Sequence, residues 1–132
     1  MVFSFPFLFL YLAIVDKSVN ILLILKKGKK VANQFGDRIR QLREKQNLLL
    51  RQVAPQLEID TPQLSKIERG ERNAKREQVT LLSKIFNVPE DDLLSLWLAD
   101  KVYEVVKDED VALKAIEVAE DEVKKIKRKK LK

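Results

Sequence analysis

Cysteine and histidine are both missing from this chain of 132 residues, and glycine (3) and proline (4) are scarce. Without cysteine there is no disulfide scaffold, thiolate zinc site or thiol nucleophile, and without histidine there is no imidazole base or ligand. Ser4, Ser18, Ser65, Ser83 and Ser95 therefore lack the partner that would activate a hydroxyl. No carboxylate cluster has ligand spacing outside a solvated helix face. Neither enzymatic chemistry, nor a metal, nor a cofactor is expected. Few glycines and prolines, with 45% apolar and 35% charged residues, indicate one all-α domain with short connections.

Net charge is +6, and its location decides its meaning. Residues 1–34 carry five bases and one acid, residues 35–98 eleven and ten, and residues 99–132 ten and nine. Most of the excess thus lies outside the middle of the chain. Within the middle, the stretch 60–76 holds five bases against three acids, a local basicity that suits one binding face. Further on, Asp100 to Glu122 is acidic, and Lys124 to Lys132 has seven bases and no acid, which reads as a frayed basic tail.

The first thirty residues follow no helical period. Met1 to Val15 is almost wholly apolar, Asp16 and Lys17 interrupt it, and Ile21 to Leu25 resumes it before Lys26, Lys27, Lys29 and Lys30. About fourteen residues of helix reach roughly 21 Å against a ~30 Å hydrocarbon core, and joining the two runs would bury Asp16 and Lys17. No base precedes the first run and no small-residue cleavage site follows it, so a secretory signal is not indicated. Two readings remain for residues 1–34. One is a weak membrane anchor through residues 1–25 with a basic flank. In the other, Lys27-Gly28-Lys29-Lys30 reflects a purine-rich ribosome-binding string, Val31 is the initiator, and what precedes it is untranslated leader. Intact mass of the native protein distinguishes them.

From Phe35 the pattern becomes helical, with Phe35, Ile39 and Leu42 at i, i+4 and i+7. A first helix is expected to end near Asn47, which tolerates a left-handed cap, and a second to cover about 50–57. After Glu58-Ile59-Asp60, Asp60 is a good N-cap for a third helix over 61–69, with Pro62 in the first turn and Gly70 closing it. Two short helices joined by three residues and stopped by glycine are a helix-turn-helix arrangement.

Leu48 through Gly70 (LLLRQVAPQLEIDTPQLSKIERG) resembles the Xre, or cro/cI-type, helix-turn-helix regulators, a family that includes restriction-modification controller proteins. The resemblance rests on Val53-Ala54, on Leu57 and Ile59 around the turn, on Leu64 and Ile67, and on Ile67-Glu68-Arg69-Gly70. It continues through Asn73, Val79, Leu82, Phe86 and Val88-Pro89-Glu90, covering residues 35–98. It implies a five-helix, lambda-repressor-like DNA-binding domain and a transcriptional regulator, commonly a repressor, working in the cytoplasm. Three departures stand out. Pro55 should kink or shorten the second helix, Glu58 stands where glycine is usual in the turn, and Leu49 and Leu50 replace small polar residues that cap the second helix.

With Leu64 and Ile67 inward, the resemblance places Thr61, Pro62, Gln63, Ser65 and Lys66 toward base edges in the major groove. Arg51, Gln52, Arg69, Arg72, Lys75 and Arg76 would meet phosphates. Arg43 and Glu68 would form a partly buried ion pair between the first and third helices. Val53, Leu57, Val79, Leu82, Ile85, Phe86 and Leu93 are expected in the core, and Trp97 with them.

Beyond Leu98 apolar period continues through Val102, Val105 and Val106, then through Val111, Leu113, Ile116, Ala119, Val123 and Ile126, with Asp108-Glu109-Asp110 between. Residues 99–132 are thus a helical extension whose apolar faces serve a homodimer or fold back on the same chain. The expected partners are double-stranded DNA and a second copy. The rival readings are a helix-turn-helix module that binds protein, and a regulator held at a membrane by residues 1–25.

Overall fold

The computed structural model describes residues 33–132, so the anchor and start-site readings of residues 1–32 lie outside what it describes. All regular structure among the described residues is helical, with no strand. In chain order they form α1 (Gln34–Lys45), α2 (Leu50–Val53), a 3-10 turn (Ala54–Leu57), α3 (Thr61–Glu68), α4 (Arg76–Phe86), α5 (Glu90–Val106) and α6 (Ala112–Lys130). The all-α fold expected from the sequence, a helical domain followed by a helical extension, is therefore what this sequence adopts. No described helix is long and apolar enough to cross a membrane.

Periodicity sets the core. Phe35, Ile39 and Leu42 of α1 meet Val53, Ala54 and Leu57, then Leu64 and Ile67 of α3, Val79, Leu82 and Phe86 of α4, and Leu93 of α5, all buried. Ile85 lies at the margin of this cluster and is only partly buried, as are Leu94, Leu96 and Trp97. The Trp97 indole N–H donates to the Ala74 carbonyl at 2.9 Å, so α5 is keyed to the loop before α4 by a bond as well as by area.

Four segments end in the same way. Asn47, Glu58, Gly70 and Asn87 all take the left-handed conformation, with φ between 53° and 75°. In each case the next residue's N–H reaches back five residues, as from Leu48 to Arg43, Ile59 to Ala54, Glu71 to Lys66 and Val88 to Ser83. This is the closure that satisfies carbonyls orphaned at a helix end. Asparagine and glycine adopt it readily; Glu58 does so at a cost.

Pro55 acts as its ring demands. The α-helical part of the second element stops at Val53, and the chain tightens into 3-10 geometry with Pro55 in its first turn. The single helix expected over 50–57 is thus an α turn followed by a 3-10 turn, because proline supplies no N–H to an α ladder. Its start is unusual as well. Leu49 offers no side-chain cap, and Gln52 instead reaches back, its Oε1 accepting from the Leu49 N–H at 2.7 Å.

Two polar residues fix where α1 begins. Buried Asn33 caps it, Oδ1 accepting from the Gly36 N–H at 3.2 Å, while its Nδ2 donates to the Glu68 carbonyl at 2.7 Å. One side chain thereby joins the start of α1 to the end of α3. A Cβ on Gly36 would lie 2.6 Å from the Ile67 carbonyl, so glycine there is what lets the two backbones approach. From the other side, the Asp100 carboxylate of α5 accepts from the N–H groups of Gln34 (3.0 Å) and Phe35 (2.9 Å). Helix α5 runs through residue 98 unbroken, so this bond ties the extension to the domain before it.

Beyond Asp100 burial fails. None of the side chains from 101 to 132 is buried, and all of those from 113 onward are exposed. The basic run at the C-terminus is helical through Lys130 rather than frayed. Lysine is a good helix former, Lys124 and Lys125 pair with Glu120 and Glu122 one turn back, and the last turn's positive charge suits the helix C-terminus.

Candidate nucleic-acid interface

Helix α3 is fixed on one side and open on the other. Its start is set by Asp60, whose Oδ1 accepts from the Gln63 N–H at 2.7 Å, and by Pro62 in the first turn. Leu64 and Ile67 are buried against α1 and α2. Glu68 on the same side meets Arg43 in a bidentate pair, Nε to Oε1 at 2.6 Å and Nη2 to Oε2 at 2.9 Å. The remaining Arg43 nitrogen, Nη1, donates to the Leu48 carbonyl at 2.9 Å. With side chains only 11% and 5% exposed, the pair is a buried strut between α1 and α3. Hydrogen bonding to Glu68 raises the Arg43 pKa above its ordinary value, so the guanidinium stays charged at any working pH.

At about 100° per residue, the direction opposite Leu64, Ile67 and Glu68 falls on Pro62, Lys66 and Arg69, with Ser65 beside them. Pro62, Lys66 and Arg69 are exposed, while Thr61, Gln63 and Ser65 are half-buried at the flanks. All five residues expected to read bases thus lie on one helix, with Pro62 and Lys66 foremost and Thr61 and Gln63 at the two edges. A helix this size, offered on one face and anchored on the other, has the dimensions of a major-groove probe.

The residues expected at phosphates are less uniform. Arg51, Arg72, Lys75 and Arg76 are exposed around α3, Arg51 on α2, Arg72 and Lys75 in the connection to α4, and Arg76 at the first position of α4. Gln52 is exposed too, though its carbonyl oxygen is committed to the start of α2. Arg69 is committed more fully. Its Nε and Nη2 donate to Glu71 at 2.7 and 3.1 Å, and Nη1 donates to the Ser65 hydroxyl at 2.6 Å. These bonds hold the Glu71 carboxyl below the usual carboxylate range and raise Arg69 in turn. A phosphate must displace Glu71 to reach this guanidinium. Sequence reasoning passed over Glu71; the signal was there in the Arg-Gly-Glu spacing, because a left-handed glycine folds i and i+2 onto each other.

Among the described residues no group of acidic side chains could hold a metal ion, and no buried side-chain nitrogen or oxygen lacks a hydrogen-bond partner. The polar side chains that remain available to a ligand are therefore surface ones, and around α3 the exposed bases Arg51, Lys66, Arg72, Lys75 and Arg76 outnumber the exposed acids Glu58, Asp60 and Glu71.

Comparison with known proteins gives the same region. Residues 39–93 match the family described as helix-turn-helix. A similar curated protein is the HTH-type transcriptional activator BcrR of Enterococcus faecalis, 37% identical over 62 residues, a match that takes in 47% of this chain and 30% of that protein. No solved structure matches the chain at a significant level.

Proposed function

We propose that residues 39–93, which match the helix-turn-helix family, are a domain of the Xre, cro/cI type, and that the protein is a sequence-specific transcriptional regulator that lays α3 in the major groove of double-stranded DNA. The observation that carries the reading is the two-sidedness of α3. Leu64, Ile67 and Glu68 lock its inner face, and Pro62, Ser65, Lys66 and Arg69 stand free of the core on its outer face. Gln63 pairs with adenine and Lys66 with guanine O6 and N7, while Thr61 and Pro62 offer apolar contact to a thymine methyl. Arg51, Arg72, Lys75 and Arg76 hold phosphates and set register, joined by Gln52, and by Arg69 once Glu71 yields. The protein acts as a dimer on half-sites about one helical turn apart. The name of the enterococcal relative supports transcriptional control and leaves the sign of control open.

Selection of duplexes from a random pool, followed by titration of the winner and a scrambled duplex across salt, tests this. A near-palindromic motif is expected, bound far better than scrambled DNA, with affinity falling steeply in log salt. Gln63→Ala or Lys66→Ala should lose about 1–3 kcal/mol on the best site and relax preference at one or two base pairs. Arg72→Ala should weaken all sequences alike and flatten the salt slope. Equal effects of all three on selected and random DNA would refute base reading. The second reading, a domain that binds a protein instead, draws on Glu71's hold on Arg69 and on Leu49, 47% exposed where a polar cap is usual. Its mark would be no enriched duplex and a shallow salt slope.

A further inference from the structure

Helix α6 is unexplained by DNA reading. It is nineteen residues long and amphipathic, and its apolar side chains face water, with Val118 58%, Val123 53% and Ile126 54% exposed. Ala112, Ile116, Ala119, Val123 and Ile126 recur at alternating steps of four and three, which is the 3.5-residue period of a coiled-coil seam. Two positions per heptad make a stripe too narrow to cover a globular core, and it holds no aromatic residue or leucine to enter a lipid surface. A narrow seam fits another helix.

The charges say which helix. Residues 112–122 hold four acids and one base, and residues 123–132 hold seven bases and no acid. Two such helices laid parallel would set one strongly basic half beside the other. Laid antiparallel, each basic half lies beside an acidic one, with Ile116 opposite Ile126 and Ala119 opposite Val123. We propose that α6 is a self-association helix that pairs antiparallel, along the seam from Ala112 to Ile126, with α6 of a second copy of this chain. The pairing rests on the dimer reading above and gives it a surface. A rod of about 28 Å with one domain at each end is commensurate with half-sites ~34 Å apart.

The test uses the full chain without DNA, so that it can fail separately from DNA recognition. Sedimentation of the wild-type chain is expected to show a monomer–dimer equilibrium. Val123→Glu, an exposed position whose change leaves the melting temperature unaltered at concentrations where the chain is monomeric, should raise the dissociation constant roughly tenfold or more. Added salt should weaken the dimer, because the attraction between halves is screened; a parallel pair would tighten instead. Orientation is read by cross-linking, which the absence of native cysteine makes unambiguous. With a short bis-maleimide, a mixture of Ala112→Cys and Lys130→Cys chains should give the mixed dimer and little of either self-linked product. Self-linked products, a monomer at every concentration, a lowered melting temperature for Val123→Glu where both chains are monomeric, or transfer of the helix to anionic vesicles in preference to itself would each overturn the proposal.

Discussion

Helix α3 has eight residues and α6 nineteen, yet it is the shorter one whose place in the molecule is fixed. Alone, eight residues are below the length at which a helix persists in water, and nineteen are above it. Helix α3 owes its existence to Asp60 at one end, Gly70 at the other and a buried face between them. Helix α6 owes its own to alanine and lysine propensity and to ion pairs one turn apart, and nothing described holds it in place. A helix that must present side chains to a rigid partner needs the first kind of support, because binding then does not have to order it. A helix that waits for another copy can do with the second.

The sharpest way to break this contrast is to remove the strut from α3. Glu68→Ala leaves the Arg43 guanidinium buried without its carboxylate, and should cost about 3–5 kcal/mol in urea unfolding of the full chain. Arg43→Met with Glu68→Leu should recover most of that loss while α3 is free to tilt, so stability would return and selectivity for the preferred duplex would not. A single-mutant cost under about 1 kcal/mol would mean that apolar burial alone holds α3.

Next in size is the bond that crosses the domain's C-terminal boundary. Asp100→Ala removes the carboxylate that accepts from Gln34 and Phe35, and the loss should be about 1–2 kcal/mol by the same unfolding measurement. Its partners lie 65 and 66 residues earlier, so this effect also measures how much of residues 99–132 belongs to the domain. If it is negligible, everything past Leu98 is appendage.

Much of this was legible from residue types in a row. The period of Phe35, Ile39 and Leu42, the Asp60 cap with Pro62 behind it, and Gly70 at the stop are local signals, read within one or two turns of chain. Asn33, Asp100 and Gly36 were not legible as a clamp, since a polar side chain that bonds a backbone group 35 or 66 residues away leaves no period and no motif. Pro55 was legible as trouble, and the 3-10 turn is how the chain resolves it. Arg69 lies exposed on the side of α3 opposite Leu64 and Ile67, as the helical period requires, and the Arg-Gly-Glu spacing was the one local sign of its partner Glu71. For α6 the amphipathic pattern was plain, and only the folded chain could say that its apolar side lies open.

A smaller effect, of opposite sign, tests the turn that positions α3. Glu58 is the one left-handed residue of the four that is neither asparagine nor glycine, at φ 56°. Glu58→Gly relieves that strain against a larger entropy in the unfolded chain, and a net gain of up to about 1 kcal/mol is expected. No gain, or a loss, would mean that the glutamate side chain contributes something that its exposure does not suggest.

The smallest expected effect is the most informative about α6. Ending the chain after Lys107 removes 25 residues, none of them buried. At protein concentrations low enough to keep the chain monomeric, the unfolding free energy of the remainder should stay within about 0.5 kcal/mol of the full chain, as for surface changes that touch nothing. At higher concentration the two should diverge, with the full chain alone gaining stability as dimerisation draws on the folded state by mass action. A deficit of more than about 1 kcal/mol at low concentration would show α6 docked on its own domain. Its apolar seam would then already be covered, and α3 and α6 would differ only in how much of the core each one touches.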